Sequence, residues 1–533
     1  MRQYRFLATE FAATPVAGIR TICGLCLLAS WVLVQAAADG AAAESARPNI
    51  LFIYTDDQSY RTVSCYPGAP EWVRTPHIDR LATEGIRFSS AYIGTWCMPS
   101  RATLLTGRHQ TGIESLRMEG KYPGSEYDPQ QCAFWPRVFR DRGYVTGQIG
   151  KWHTGTDTGF GRDWDFQKVW NRPRHTDNAG KYYDNQLIET NGGPAELVTG
   201  YSTDNYTDWA IDFIEGQDRD TDKPWYLWLC YGAVHGPYIP ADRHRGEFPD
   251  VRVPIPNDIY PPRAGKPAYA RDRNEWMLDP TGSGQPVHKT AASLYGPSLH
   301  DWERQYNQGV LAIDEGVGRL LDALEQSGQR ENTLVVFTSD QGFAWGQHGF
   351  RHKLAPYDAN IRSPLIISLP GTFPEHAVCD TPVGGADLIP TFFALAGIDL
   401  PWQMHGHDLT PLLRDPSIAW PHPVLTILTG DRYGSNTMPI PTDLEELARN
   451  SIPWWVSLRQ HQYKYIRTLA AGEIEELYDL QQDPEELHNL AGEASSRDAL
   501  LEYRRATVAE LQRTGAKLAA NLPSVGTPGV PTK

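Results

Sequence analysis

The sequence predicts an α/β fold: a large, mainly parallel central sheet flanked by helices, with a smaller C-terminal α+β subdomain built on a short antiparallel sheet. Three observations predict it. Apolar runs such as Asn49–Thr55 and Thr333–Thr338 carry no polar alternation, the pattern of strands buried on both faces. Helical periodicity lies between such runs, as in a parallel sheet with crossover helices. After about residue 415 the pattern changes to closely spaced short strand candidates and a closing helix.

The elements follow in chain order. Arg2, Arg5 and Arg20 precede an apolar run from Thr21 to Ala38 that ends in Ala36, Ala37 and Ala38. Basic, apolar and small residues in that order read as a secretory signal over residues 1–38. The run is short for a membrane span, so membrane contact is expected only in transit, with an uncleaved anchor as the alternative. The mature chain is then secreted or periplasmic.

A catalytic domain is expected over residues 47–415. Asn49–Thr55 is its first strand. Thr75-Pro76 opens a helix with Ile78, Leu81 and Ala82 on one face and Gly85 as its stop. Gly143–Ile149, Trp225–Cys230, Thr333–Thr338 and Leu365–Leu369 are further strands. Glu303–Gln326 is a helix with Val310, Ile313, Val317, Leu320, Leu321 and Leu324 near helical spacing. Phe248–Tyr295, rich in Pro and Gly, reads as a surface excursion. Residues 416–533 form the smaller subdomain, with strands Val424–Leu428, Trp454–Leu458 and Tyr463–Arg467 and a helix over Arg497–Lys517.

At 533 residues and 41% hydrophobic content the chain can bury a sizeable core, which excludes disorder as its main state. A net charge of −15 makes nucleic acid a poor partner. Of 7 cysteines, Cys23 and Cys26 fall in the signal. In an oxidising compartment Cys65, Cys132, Cys230 and Cys379 allow one or two disulfides, with no pairing defined by sequence.

Two acidic pairs follow apolar strands: Asp56-Asp57 after NILFIYT, and Asp340-Gln341 after TLVVFTS. In open α/β sheets, ligands sit beyond the carboxyl ends of the strands. Three carboxylates and an amide oxygen converging there would make a hard-oxygen site for Ca²⁺ or Mg²⁺. Either pair alone is equally an ordinary turn at a strand end. A third segment runs Thr95-Trp96-Cys97-Met98-Pro99-Ser100-Arg101, then on to Gly107. Pro99 fits a first helical turn and Gly107 a stop, which puts Cys97 at a helix N-terminus with Arg101 one turn on. Unmodified, such a cysteine is expected to have a lowered pKa and a nucleophilic thiolate, or else to be an inert buried residue.

C-x-P-S-R followed by x₄-T-G resembles the signature of the formylglycine-dependent sulfatases of the alkaline-phosphatase-like superfamily. Further parts occur in the family's order: Gly150-Lys151-Trp152-His153, His235, Ser339-Asp340-Gln341-Gly342, His348-Gly349, Lys353 and Glu476-Leu477-Tyr478-Asp479-Leu480. The resemblance covers roughly residues 47–490. It implies that Cys97 is oxidised to formylglycine by a formylglycine-generating enzyme or an anaerobic maturase. It implies that Asp56, Asp57, Asp340 and Gln341 hold a divalent cation, Ca²⁺ or alternatively Mg²⁺, together with residue 97. Gln341 departs from the Asn or His common in relatives. Arg101 would fix the modified side chain, and Lys151 and Lys353 would neutralise sulfate oxygens. His153 would hold or deprotonate the hydrated aldehyde, and His235 would serve the leaving oxygen. The hydrated aldehyde would attack sulfur, then collapse and expel sulfate. His348 would support the metal ligands from behind, while Tyr357, Asp358 and Arg362 read as structural.

The expected substrate is a sulfate ester, either a sulfated small molecule or a sulfated glycan. Trp96, Trp152, the segment Trp164–His175 and Arg351-His352 are the candidates to read it. Two other readings stand beside this one: a phosphonate monoester or phosphodiester hydrolase on the same machinery, and a glycan-binding protein whose Cys97 is never matured.

Overall fold

In the computed structural model, the described residues are 47–114, 116–118, 125–287 and 293–526. The predicted signal lies outside them. Ten strands make the central sheet: β1 (Asn49–Thr55), β2 (Ile86–Phe88), β3 (Val145–Lys151), β4 (Phe166–Trp170), β5 (Gln186–Thr190), β6 (Ala195–Val198), β7 (Trp225–Cys230), β8 (Thr333–Ser339), β9 (Leu365–Ser368) and β10 (Ala377–Cys379). Their order is β10-β2-β9-β8-β1-β7-β3-β4-β5-β6. The five central strands, β8 to β4, run parallel, while β9, β5 and β6 bring antiparallel pairings toward the edges.

Strand pleating divides the core. Leu51, Ile53, Leu227, Leu229, Val335 and Phe337 face one layer, against helices α3 (Ser202–Ile214) and α4 (Leu299–Gln326). Ile50, Phe52, Tyr54, Tyr226, Trp228, Leu334 and Val336 face the other, where Phe392 and Phe393 of α5 (Leu388–Ala396) pack. Both faces are thus covered, which is why these strands read as unbroken apolar runs. The six apolar residues predicted on α4 are all buried. The helix starts earlier than its apolar pattern, because Ser298 and Asp301 form a capping box there. Short α1 (Pro76–Thr83) and α2 (Cys97–Thr106) lie upstream of these helices. Thr75 occupies the α1 cap position, but its hydroxyl bonds Asp79 and Ser64 and no helix amide.

The C-terminal part carries a four-stranded antiparallel sheet, β11 (Val424–Leu428), β12 (Trp455–Gln460), β13 (Tyr463–Thr468) and β14 (Glu475–Asp479), covered by α6 (Arg497–Arg513). One face packs on α6 through Val456, Leu458, Leu477 and Leu511. The other packs Leu428, Trp455, Ile466 and Tyr478 against Met98 and Ala102 of α2. A buried polar seam joins the same layers: Lys464 donates to Asp358 at 2.7 Å and lies 2.8 Å from Glu486. The Glu-Leu-Tyr-Asp motif is therefore strand β14, and its Glu476 accepts from Tyr357 at 3.0 Å.

The disulfides that the sequence allows do not form among the described residues. Cys65, Cys97, Cys132, Cys230 and Cys379 are all free thiols. Cys230 ends a central strand and Cys379 an edge strand, so the fold spreads them across the sheet instead of pairing them.

Candidate active site

Register places the two acidic pairs together. β1 and β8 are hydrogen-bonded neighbours with Thr55 opposite Ser339, so the residues that follow leave the sheet side by side. Asp57 N–H then donates to Asp340 Oδ1 at 2.8 Å. Asp57 has φ 61°, a left-handed conformation that Asp tolerates in tight turns. Asp56 is tied on its other flank to the segment after β7: its N–H donates to the Ala233 carbonyl at 2.9 Å, and its carbonyl accepts from Val234 at 2.8 Å. His235 is the next residue, which fixes its approach to the acids.

Helix α2 delivers the third part. It begins at Cys97 and ends on Gly107 at φ 69°, as Pro99 and Gly107 predict. Ser100 of the signature bonds the Trp96 carbonyl at 2.8 Å. It sits so close to Gly94 that a Cβ there would come within 1.8 Å of its hydroxyl, so Gly94 allows the turn to pack. Cys97 Sγ donates to Asp56 Oδ1 at 3.3 Å and accepts from Lys353 Nζ at 3.0 Å. One ligand atom each from Asp56, Asp57, Cys97 and Asp340 lies within 4.8 Å of the others.

Cations surround these acids. Lys151, wholly buried, pairs with Asp56. Lys353 Nζ is 2.5 Å from Asp57 Oδ1, and His235 Nε2 is 3.6 Å from Asp57 Oδ2. Arg101 is buried under the rings of Tyr54 and Trp228 and donates to the Lys151 carbonyl at 2.9 Å. Its Nε and Nη2 donate to no oxygen among the described residues, and the Cys230 thiol lies beside the guanidinium. His153 lies at φ 130° just past the end of β3. The extended run that would align Lys151 and His153 therefore ends at Lys151.

The ionisation pattern follows from burial and charge. Burial works against an ionised Asp56, but Lys151 and His235 outweigh it and hold the carboxyl well below its usual range. Burial, with Asp56 alongside, pushes Asp340 well up. His153 is held well down by burial and by Lys151 and Arg172, so its ring is neutral. Burial also lowers His235 to about 4. The lowered thiol predicted for an unmodified Cys97 is wrong: burial first, then Asp56, pushes it strongly up. The helix N-terminus and Lys353 do not overcome a buried carboxylate at hydrogen-bond distance. Bare Cys97 is thus a poor thiolate nucleophile.

The donor set fits a hard cation. Asp340 Oδ2 and Gln341 Oε1 are buried oxygens that accept from no N–H group among the described residues, with Asp340 set against Asp56. Gln341 turns its Nε2 toward Asp57, and rotating the amide by half a turn would present its oxygen instead. Asp56, Asp57, Asp340 and Gln341 would therefore hold the ion with residue 97.

Several predicted residues lie elsewhere. His348 Nδ1 is 2.6 Å from Asp258 and its ring packs on Tyr357, away from the carboxylates it was expected to support. Asp358 accepts from Tyr92 and Lys464, and Arg362 lies over the Tyr60 ring, consistent with structural roles. Trp152 and Trp164 are fully buried against each other, and Trp96 lies beneath the Arg449 guanidinium, so none offers a sugar platform. Arg351 lies over the Trp302 ring, and His352 Nδ1 is 2.9 Å from the Lys353 carbonyl. Tyr182 was missed. Its ring stacks on His235, and its hydroxyl is bonded by Arg172, from the predicted segment Trp164–His175. Nothing local in the sequence marks Tyr182, because the contact joins residues 53 positions apart.

The geometry agrees with comparisons to known proteins. The Sulfatase family model matches residues 48–398. An N-acetylglucosamine-6-O-sulfatase of Bacteroides thetaiotaomicron is 31% identical, over 85% of this chain and 84% of that protein. A structure solved in complex with D-glucosamine-2-N,6-O-disulfate aligns with TM-score 0.74 and 25% identity, covering 89% of this chain and 99% of that one. The phosphonate monoester hydrolase of Agrobacterium radiobacter shares the fold at TM-score 0.63 and 21% identity, covering 88% of this chain and 96% of that one. With most of its length matched by one family model and its signature helix set against the paired acids, this chain belongs to the sulfatase family and is an enzyme of that class.

Proposed function

We propose that the protein releases inorganic sulfate from a sulfated glycan, with residue 97 in its formylglycine form and a bound Ca²⁺, for which Mg²⁺ is the alternative. One observation carries the reading: Cys97 stands at a helix start within hydrogen-bond reach of both Asp56 and Lys353. A divalent cation there supplies Lewis acidity, favouring an ionised oxygen and neutralising sulfate charge. Asp56, Asp57, Asp340 and Gln341 orient it. The Nε and Nη2 donors of Arg101 are suited to the hydroxyls of a hydrated aldehyde one helical turn away. Lys151 and Lys353 offer charge to the sulfate oxygens. Neutral His153 is suited to accept a proton from a residue 97 hydroxyl, and His235 to hydrogen-bond the ester oxygen.

The relatives support a glycan substrate. One is named for N-acetylglucosamine 6-sulfate, and another was solved with a disulfated glucosamine. A 6-sulfated amino sugar is accordingly the substrate to expect. Maturation falls to a formylglycine-generating enzyme or an anaerobic maturase, and the place of action is secreted or periplasmic. The same reading divides the chain into a signal (1–38), a catalytic domain (47–415) and a C-terminal subdomain (416–533).

The test has two parts. Mass spectrometry of the tryptic peptide holding residue 97 should find the aldehyde or its hydrate. Sulfate release should then be greatest on N-acetylglucosamine 6-sulfate within a panel of sulfated sugars. Faster turnover of phenylphosphonate would establish the phosphonate monoester hydrolase reading instead. An unmodified thiol with glycan binding and no turnover would establish the binding-protein reading.

A further inference from the structure

Helix α4 carries two buried acceptors that no hydrogen bond among the described residues uses. Glu303 is 9% exposed, and no hydrogen bond or ion pair among the described residues engages its carboxyl group. Asn307 is one turn further on and 6% exposed. Its Nδ2 donates to the Glu303 carbonyl at 2.9 Å, which commits the other amide atom as an acceptor, and that Oδ1 is buried without a partner. Both residues line a cavity of about 290 Å³. Its walls include Val253, Ile255, Phe343 and Trp345. No residue of the acid and cation cluster around Cys97 lines it.

We infer that this cavity binds a small organic molecule through a protonated primary amine, held by the Glu303 carboxylate and Asn307 Oδ1, with its body on the apolar wall. A buried carboxylate without a counter-charge is costly, and an ammonium group supplies both the charge and several N–H donors. Among the described residues lining the cavity Arg61 is the one cation; its charge acts on Glu303, but its hydrogen bonds go to Glu485 at 2.8 and 2.9 Å and to Tyr60 at 3.1 Å. Asp258 lines the same space and adds negative charge, while Glu485 is paired with Arg61, so an anion is disfavoured. A divalent metal wants about six to eight oxygens, whereas Glu303, Asp258 and Glu485 are not among the described clusters whose ligand atoms could share an ion. The volume is near the lower end for small-molecule sites, about 300 Å³, far more than a bare ion needs. Burial pushes Glu303 up to about 8, so near neutral pH it takes either a proton or a cation.

The experiment is isothermal titration of the matured, Ca²⁺-loaded enzyme at pH 7.5 with cyclohexylammonium chloride, with cyclohexanol as the uncharged isostere. Binding of the ammonium should exceed that of the alcohol by roughly tenfold or more, the weight of one buried charge pair. Glu303→Gln should abolish that preference while sulfate release is unchanged. Ile255→Trp fills the cavity from its partly exposed wall and should block binding without touching α4, so the site stays testable if the first variant folds poorly. Equal binding of ammonium and alcohol, or undiminished ammonium binding in either folded variant, overturns the assignment. So does Ca²⁺ displacing the ammonium from a site that Glu303→Gln removes. Sulfate release is read separately, so its absence would count against the active-site reading and not against this cavity.

Discussion

Tyr182 lies face to face on His235, with ring centroids 4.1 Å apart and planes 6° apart, and its hydroxyl is 3.3 Å from His235 Nε2. Arg172 also lies over the tyrosine, its guanidinium 4.8 Å from the Tyr182 ring centre. The imidazole is thereby held in one plane beside Asp57. Truncating Tyr182 should cost rate more than binding, because a misplaced His235 ring beside the reacting group is felt in the transition state. Tyr182→Ala is expected to lower kcat by roughly 10²-fold with KM changed much less. Tyr182→Phe keeps the stack and should retain most of the activity. Steady-state sulfate release on both variants checks this, and a loss confined to KM would show that Tyr182 binds substrate instead.

Cys97→Ala should leave no measurable turnover, a fall of at least about 10⁴-fold, because the proposed attack on sulfur comes from residue 97. The side chain is small and lies at a helix start, so the melting temperature should hardly move. Activity assays paired with calorimetry test both halves, and full activity in this variant would remove residue 97 from the mechanism.

Chelation should cost both activity and stability, since a ligand that binds only the folded chain stabilises it by about 2.7 kcal/mol at a hundred times its dissociation constant. Asp340 gives the sharper test. Burial and Asp56 push its carboxyl up, so among protein groups alone it prefers to be protonated. After chelation, Asp340→Asn should melt no lower than the parent. On adding Ca²⁺ only the parent should gain stability. Equal gains would exclude Asp340 as a ligand.

Glu303 makes stability depend on pH. Its folded-state value of about 8 lies above the ordinary 4.5. Between those values the folded chain holds a proton that the unfolded chain has released. Stability is therefore lost as pH rises from about 4.5 to 8, by a few kcal/mol at most. Arg61, the nearest cation, reduces the loss without abolishing it. Urea midpoints of the parent should fall across this range more steeply than those of Glu303→Gln, and parallel curves would contradict the shift.

Much of this molecule is legible in one dimension. Asn49–Thr55, Trp225–Cys230 and Val424–Leu428 coincide with their predicted strands, because double-sided burial leaves a continuous apolar run. The helix start at Cys97 and its stop at Gly107 follow from backbone preferences of Pro and Gly. Strand β4, the outer strands β5 and β6, helix α3 and strand β14 were not read, since their half-exposed or mixed patterns compete with turns. The ten-strand order is likewise absent from any local pattern.

By itself the sequence determined the fold class, the order of the acidic pairs and the signature around Cys97, all of which depend on local preference and short spacing. Only the tertiary structure decided that Asp57 meets Asp340, that Cys97 is pushed up and not down, that Tyr182 covers His235, and that Glu303 lines a cavity. Each of those is a matter of burial or of charge across space. Neither quantity exists until β1, β7 and β8 set residues hundreds of positions apart at the same end of one sheet.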